Sequence, residues 1–122
     1  MQIFDIHQLQ TEQDSRQAAY LEFLRSSSLS VGLYSLPAQG IDPQQPHTED
    51  EVYYVVKGSG SLEVGEESCA VEASSVIFVA AGVKHHFHSI TEDMTILVFF
   101  APPEYSLKRG EEAMPRGIEC SF

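Results

Sequence analysis

The chain has 122 residues, 43% of them apolar, so it can build one hydrophobic core and is not a disordered acidic tail. Its 7 Lys and Arg stand against 18 Asp and Glu, a net charge of −11. That excludes nucleic acid and an anionic membrane surface as natural partners, because both call for a cationic face. Most of this charge reads as a solvated surface, and the question it leaves is whether a few of the acids serve a cation.

The first 28 residues carry two competing patterns. Between Ser15 and Arg25, residues Ala18, Ala19, Leu21 and Leu24 suit a short helix, whereas Tyr20, Glu22 and Leu24 alternate with Leu21 and Phe23 as in a strand. A helical turn followed by a strand over Tyr20 to Leu24 is the favoured expectation. From Leu29 the period is clear. Runs rich in Val, Ile, Phe and Tyr lie at 29–36, 52–56, 61–64, 69–71, 76–80, 85–90 and 94–100. Turn formers separate them at Gly40, Gly58 to Gly60, Gly65, Ser74-Ser75, Gly82 and Glu92-Asp93. The run centres recur about every 8–10 residues, the spacing of an all-β sandwich or barrel. No gap accommodates the crossover helix that a parallel sheet needs.

The expected organisation is therefore one all-β domain over 1–122, with room for a short N-terminal helix. Its strand-bearing core occupies about 20–101. Residues 102–122, with Pro102, Pro103 and Pro115, form an extended C-terminal arm, with a turn of helix near Glu111 to Met114. No apolar run reaches the roughly 18 residues of a membrane span, and the N-terminus lacks the basic-then-apolar pattern of a secretion signal. A cytoplasmic location follows as the expectation. Cys69 and Cys120 are far apart and in no metal-binding spacing, so both read as free thiols, with Cys69 packed within the barrel.

Chemistry-bearing residues concentrate in two places. His47 lies in PHTEDEVYYVVKG, and His85, His86 and His88 lie in AAGVKHHFHS. A single histidine beside a strand is usually an edge residue, but two such segments with a carboxylate at matching parity point to a metal site. Residues two or four apart on a strand share a face. His47 and Glu51 thus point the same way, with Tyr53 and Val55 following. Glu49 shares that parity but sits where a loop enters the strand. His85, Phe87 and Ser89 share one face and His86 and His88 the other; periodicity alone does not say which looks inward.

Residues 45–58 and 74–89 resemble the two motifs of the cupin superfamily. His47, Glu51 and Gly58 stand where the first motif has its second histidine, glutamate and closing glycine, and Gly82 and His85 match the second motif. The resemblance spans about residues 30–101. It implies a double-stranded β-helix, a jelly-roll barrel, often a homodimer. It places His85 inward, with His86 and His88 outside or at a subunit contact, and it implies a divalent metal, Zn, Fe, Mn or Ni, held by His47, Glu51 and His85. Four positions depart from the family pattern. Gln45, beside Gln44, occupies the slot of the first-motif histidine; Ser74, Ala80 and Ser89 replace a glycine, a proline and an asparagine. The fourth metal position is then Gln45, Gln44 or water, and an amide oxygen is a poorer ligand than imidazole for Zn or Fe.

Two imidazoles and one carboxylate leave coordination positions open, which suits a mononuclear metal-dependent enzyme acting on a small molecule, of dioxygenase or isomerase class. Tyr53, Phe87, Tyr34 and Phe99 are the expected pocket-lining aromatics, and as core they would equally fill a small barrel. Lys57, at a turn, and Lys84 are the cations beside the strands, so an anionic substrate lacks an obvious clamp. No GxSxG, P-loop or dinucleotide fingerprint occurs. A non-catalytic barrel that binds or senses a small ligand is the alternative, favoured by the departures at 45, 74 and 80. An acidic face that docks a basic partner is a third, weaker reading.

Overall fold

The computed structural model describes residues 1–44 and 46–106. It begins with a helix, α1 (Ile6–Arg16), earlier in the chain than the Ser15–Arg25 window where a helical turn was expected. The apolar stripe of α1 is thin, essentially Ile6 and Leu9, so its ends define it better than its period. Asp5 caps it by accepting hydrogen bonds from the backbone N–H groups of His7 and Gln8. Gln17, at φ 53°, closes it in the left-handed conformation, its N–H directed at the Gln13 and Asp14 carbonyls. The strand expected from Tyr20 is present as β1 (Tyr20–Arg25).

Among the described residues five more strands follow: β2 (Ser30–Leu36), β3 (Asp50–Val64), β4 (Glu67–Glu72), β5 (Val76–Val79) and β6 (His85–Ala101). All pairings are antiparallel, in the order β1-β2-β6-β3-β4, with β5 paired to the first part of β3. The architecture is the expected all-β double-stranded β-helix with one short N-terminal helix. The difference lies in continuity. The expected strands 52–56 and 61–64 are one strand, β3, and 85–90 and 94–100 are one strand, β6. Gly58 to Gly60 and Glu92-Asp93 do not reverse the chain. They face each other across the β3–β6 ladder, where the register shifts three times between Val55 and Ser61. Bulges of this kind bend a ladder. Gly58 makes the bend feasible: it has φ +96°, and an added Cβ would lie 2.3 Å from the Asp93 carbonyl oxygen.

The bend also changes which residues face inward. Glu51, Tyr53 and Val55 are buried on the first half of β3, but Leu62 is the buried residue on the second. On β6, His85 and Phe87 face in. Ser89 takes φ 51°, and from Ile90 onward the even series Met94, Ile96, Val98 and Phe100 is buried. A one-residue slip flips every later side chain.

The interior is a cluster of aliphatic and aromatic residues centred on Tyr53, Val55, Phe87, Ile96, Val98 and Phe100, each at 0–1% exposure. A smaller cluster outside the sheet joins Leu9 of α1 to Leu21 and Leu33. Gln13 clamps the helix there, donating from Nε2 to the Ala19 and Leu33 carbonyls and accepting from the Ser35 hydroxyl. Cys69, expected in the core, is exposed on β4. No helix among the described residues is long and apolar enough to cross a membrane. The helical turn expected near Glu111 to Met114, Cys120, and most of the arm lie outside the described residues.

Candidate metal centre

The loop from β2 to β3 and the turn before β6 are stitched together by backbone. Gly82 N–H donates to the His47 carbonyl (2.7 Å), and Ala81 N–H donates to Asp50 Oδ1 (2.8 Å). These two bonds bring His47 and His85 to one end of the barrel. Glu51, on the inward face of β3, completes the group. The ligand atoms of His47, Glu51 and His85 all lie within 4.8 Å of one another, and the three residues are 2–3% exposed. Glu51 Oε1 is 2.8 Å from His85 Nε2 and 3.4 Å from His47 Nδ1.

The tautomer of His85 is fixed by its other nitrogen. Nδ1 lies 2.7 Å from the Val83 carbonyl oxygen, which can only accept, so Nδ1 carries a proton. Nε2 then turns toward Glu51 Oε1, and neither atom makes a hydrogen bond among the described residues. Glu51 Oε2 is likewise buried with no hydrogen bond from the described residues. Two electron-rich atoms 2.8 Å apart need a positive charge between or upon them: a proton on the imidazole or a cation bound by both. Burial pushes the Glu51 carboxyl up, but His47 and His85, as donors and positive charges once protonated, outweigh it and hold the group below the usual carboxylate range. The donor set of two imidazoles and a carboxylate fits a divalent transition metal.

The expected pocket aromatics divide. Tyr34, Tyr53 and Phe87 are fully buried in the barrel, Tyr53 in edge contact with Phe87 (5.0 Å between centroids) and near His85 (6.0 Å). Phe99 is not a lining residue. It is 38% exposed on the outer face, because the slip at Ser89 puts Phe100 inside instead. Phe100 stacks at a tilt on His47, 4.8 Å between centroids. His86 and His88 lie on the outer side, with the second bonded to the Ser68 hydroxyl. Gln45 lies outside the described residues.

Gln44 is buried, and both ends of its amide are engaged. Its Oε1 accepts from the Tyr53 hydroxyl (2.9 Å), and its Nε2 donates to Asp42 Oδ2. Asp42 also accepts from the Tyr34 hydroxyl (2.5 Å) and the Phe87 N–H (2.8 Å). Burial pushes the Tyr53 hydroxyl well above the usual tyrosine range, with the nearby charges of Glu51 and Asp42 adding to it.

Residues 32–100 match the sequence pattern of the cupin domain. The chain belongs to the cupin family. A relative from Streptomyces coelicolor, an uncharacterized protein, is 48% identical over 104 residues, 85% of this cupin and 99% of the relative. A crystal structure from Thermus thermophilus superposes with a TM-score of 0.71 at 26% identity, over 84% of this cupin and 99% of that chain. The DMSP lyase DddQ of Ruegeria pomeroyi DSS-3 superposes with a TM-score of 0.59 at 21% identity, over 62% of this cupin and 39% of that larger chain, a likeness of fold.

Three buried acids of this cupin escaped the sequence reading in whole or part. Glu49, placed by the sequence where a loop enters the strand, is 1% exposed and accepts a hydrogen bond from the Thr48 hydroxyl. Its parity with Glu51 was the signal, although the chain bends at Thr48 and Glu49 before β3 begins at Asp50. Asp42 and Glu104 had no signal beyond their place beside prolines. Glu104 is 6% exposed, and its Oε2 is 3.3 Å from His47 Nε2.

Proposed function

We propose that this cupin binds one divalent metal ion through His47, Glu51 and His85, and that the ion serves chemistry on a small molecule. The observation that carries this reading is the facing pair of Glu51 Oε1 and His85 Nε2 at 2.8 Å, buried, with the other His85 nitrogen committed to Val83. When bound, such an ion acts as a Lewis acid or as a site for dioxygen or water, the basis for dioxygenase or isomerase chemistry. The protein supplies the rest. His85 is oriented by the Val83 carbonyl, Glu51 offsets one positive charge, and Tyr53 and Phe87 exclude water on one side. Gln44 does not complete the ligand set, since Tyr53 and Asp42 engage its amide; Gln45 or water takes that place. Zn, Fe, Mn and Ni suit this donor set.

Metal analysis of untagged protein tests the reading. About one equivalent is expected in wild type and in His86→Ala, and none in His85→Ala. A metal-free wild type that takes up no added ion, or loss through His86→Ala instead, would overturn it.

A second reading has its own support: the barrel binds or senses a small ligand without turnover. The triad is 2–3% exposed, and among the described residues the interior beside it is filled by aromatic side chains. Thermal-shift screening with and without chelator separates the two, because a ligand that stabilises without metal and is recovered unchanged favours binding alone. A homodimer is part of the same proposal. Val76 and Phe78 of β5 and Phe99 of β6 are 67%, 61% and 38% exposed, and Val52 pairs with both phenylalanines across three strands, which gives one apolar outer face. Light scattering that finds a single 13.5 kDa species would remove the dimer.

A further inference from the structure

We propose that His86 and His88, on the outer face of the barrel, form a second metal site, which holds one divalent transition ion such as Zn, Ni or Cu between the two imidazoles, with water completing its shell. The proposal is independent of the inner triad.

The two residues alternate with the inward-facing His85 and Phe87 on β6, so their side chains share the outer face. β6 is laddered there to β3, and β3 to β4, which makes a fixed platform under the rings. One row across the three strands is His86, Glu63 and Ser68; the next is His88, Ser61 and Ala70. The small side chains of Ser61 and Ala70 leave room for the His88 ring to lean toward the first row, where its Nε2 lies 2.9 Å from the Ser68 hydroxyl. The imidazoles of His86 and His88 thereby come to 5.7 Å between centroids. An ion about 2.1 Å from one nitrogen of each ring lies about 3 Å from each centroid, so rings up to about 6 Å apart can share it.

Imidazole suits these ions, and a ring is a firm ligand when its second nitrogen has an acceptor. His88 has one for either choice. Its Nδ1 lies 3.1 Å from the Ser89 hydroxyl and its Nε2 2.9 Å from the Ser68 hydroxyl, and a hydroxyl donates or accepts as required. Whichever nitrogen takes the ion, the other keeps a serine oxygen. His86 makes no hydrogen bond or ion pair among the described residues, so it gives up no partner on binding. Both rings are only partly buried, and the groove beside them, lined by Ser61, Ser89 and Thr91 among others, admits water to the remaining coordination positions. Glu63, opposite His86, adds negative charge without being gathered with the rings as a third ligand, and Lys84, exposed two residues before His86, opposes it. Two protein ligands hold an ion less firmly than three, so purified protein keeps the inner ion and the outer pair fills on addition of metal.

The test titrates zinc into the full chain labelled with 15N-histidine, at mildly alkaline pH, and follows the ring nitrogens by long-range 15N–1H spectra. In Glu51→Ala, whose inner site is broken, the first equivalent is expected to shift His86 and His88 together, at roughly 100-fold lower zinc than the exposed His7 of α1. In the same background His88→Ala is expected to drop the zinc affinity of His86 to that of His7, and His86→Ala to do the same to His88. Matching far-ultraviolet circular dichroism confirms that the variants fold. In wild type the outer pair is expected to respond after His47 and His85. His86 and His88 that respond no earlier than His7 in Glu51→Ala overturn the proposal. So does a His88→Ala variant in which His86 keeps its affinity. A wild type in which zinc shifts the outer pair and never His47 or His85 instead removes the inner metal reading and supports the outer site by itself.

Discussion

Two carboxylates, Asp42 and Glu51, are buried in the same barrel, and their surroundings differ in one respect. Asp42 is saturated: the Tyr34 hydroxyl, the Phe87 N–H and the Gln44 amide all donate to it. Glu51 faces two imidazoles, and neither of its oxygens receives a hydrogen bond from the described residues. A buried charge whose acceptor sites are filled by fixed protein donors is part of the frame. A buried charge whose neighbours are themselves electron-rich is arranged for a cation. Asp42 ties the β2–β3 loop to β6, and Glu51 waits at the end of that loop.

The contrast predicts opposite phenotypes. Glu51→Ala is expected to remove stoichiometric metal outright while leaving the metal-free fold intact, as read by metal analysis and thermal unfolding. Asp42→Ala is expected to do the reverse, lowering the unfolding free energy of the metal-free protein by about 3–5 kcal/mol because it strands the Tyr34, Phe87 and Gln44 donors. Denaturant titration measures it. If Asp42→Ala lost metal with no loss of stability, the division between frame and site would collapse.

Tyr53 lies between the two regions and sharpens the comparison. Tyr53→Phe leaves the Gln44 amide oxygen without its donor and is expected to cost about 1–2 kcal/mol. Its pH dependence has a definite sign. The folded hydroxyl is held above the ordinary tyrosine value of 10.0. The unfolded chain therefore loses that proton first. Stability is full below about pH 10 and falls as pH rises beyond it. Tyr53→Phe is expected to blunt the alkaline loss, measured by comparing denaturation midpoints on either side of about pH 10. His86→Ala, on the outer face, is the smallest change, expected within about 0.5 kcal/mol of wild type and with full metal content.

The sequence itself determined a good deal of this. Period-2 runs and turn spacing specified an all-β sandwich or barrel, since alternation is a local property of the pleated strand, and the motif resemblance chose the barrel. His47 and Glu51 share a face because they are close in the chain, and the motif resemblance singled out His85. Local signals failed where the chain does something non-local. Gly58 to Gly60 and Glu92-Asp93 look like turns, yet they lie opposite each other in one continuous ladder, and only the partner strand keeps them extended. Phe99 was assigned inward because the slip at Ser89 is a backbone event that no side-chain pattern announces.

Tertiary structure decided the site. In the β3–β6 ladder Glu51 pairs with Phe100, whereas His85 pairs with Val64 at the far end. A flat ladder would hold the two ligands apart by most of its length. They meet at 2.8 Å because the ladder bends at its bulges and curls over, and because the Gly82–His47 backbone bond ties the far turn back to the start of β3. The same closure buries Asp42 and brings Glu104 to His47. Neither acid carries a sequence mark of its burial, since each is covered by what lies across the barrel from it.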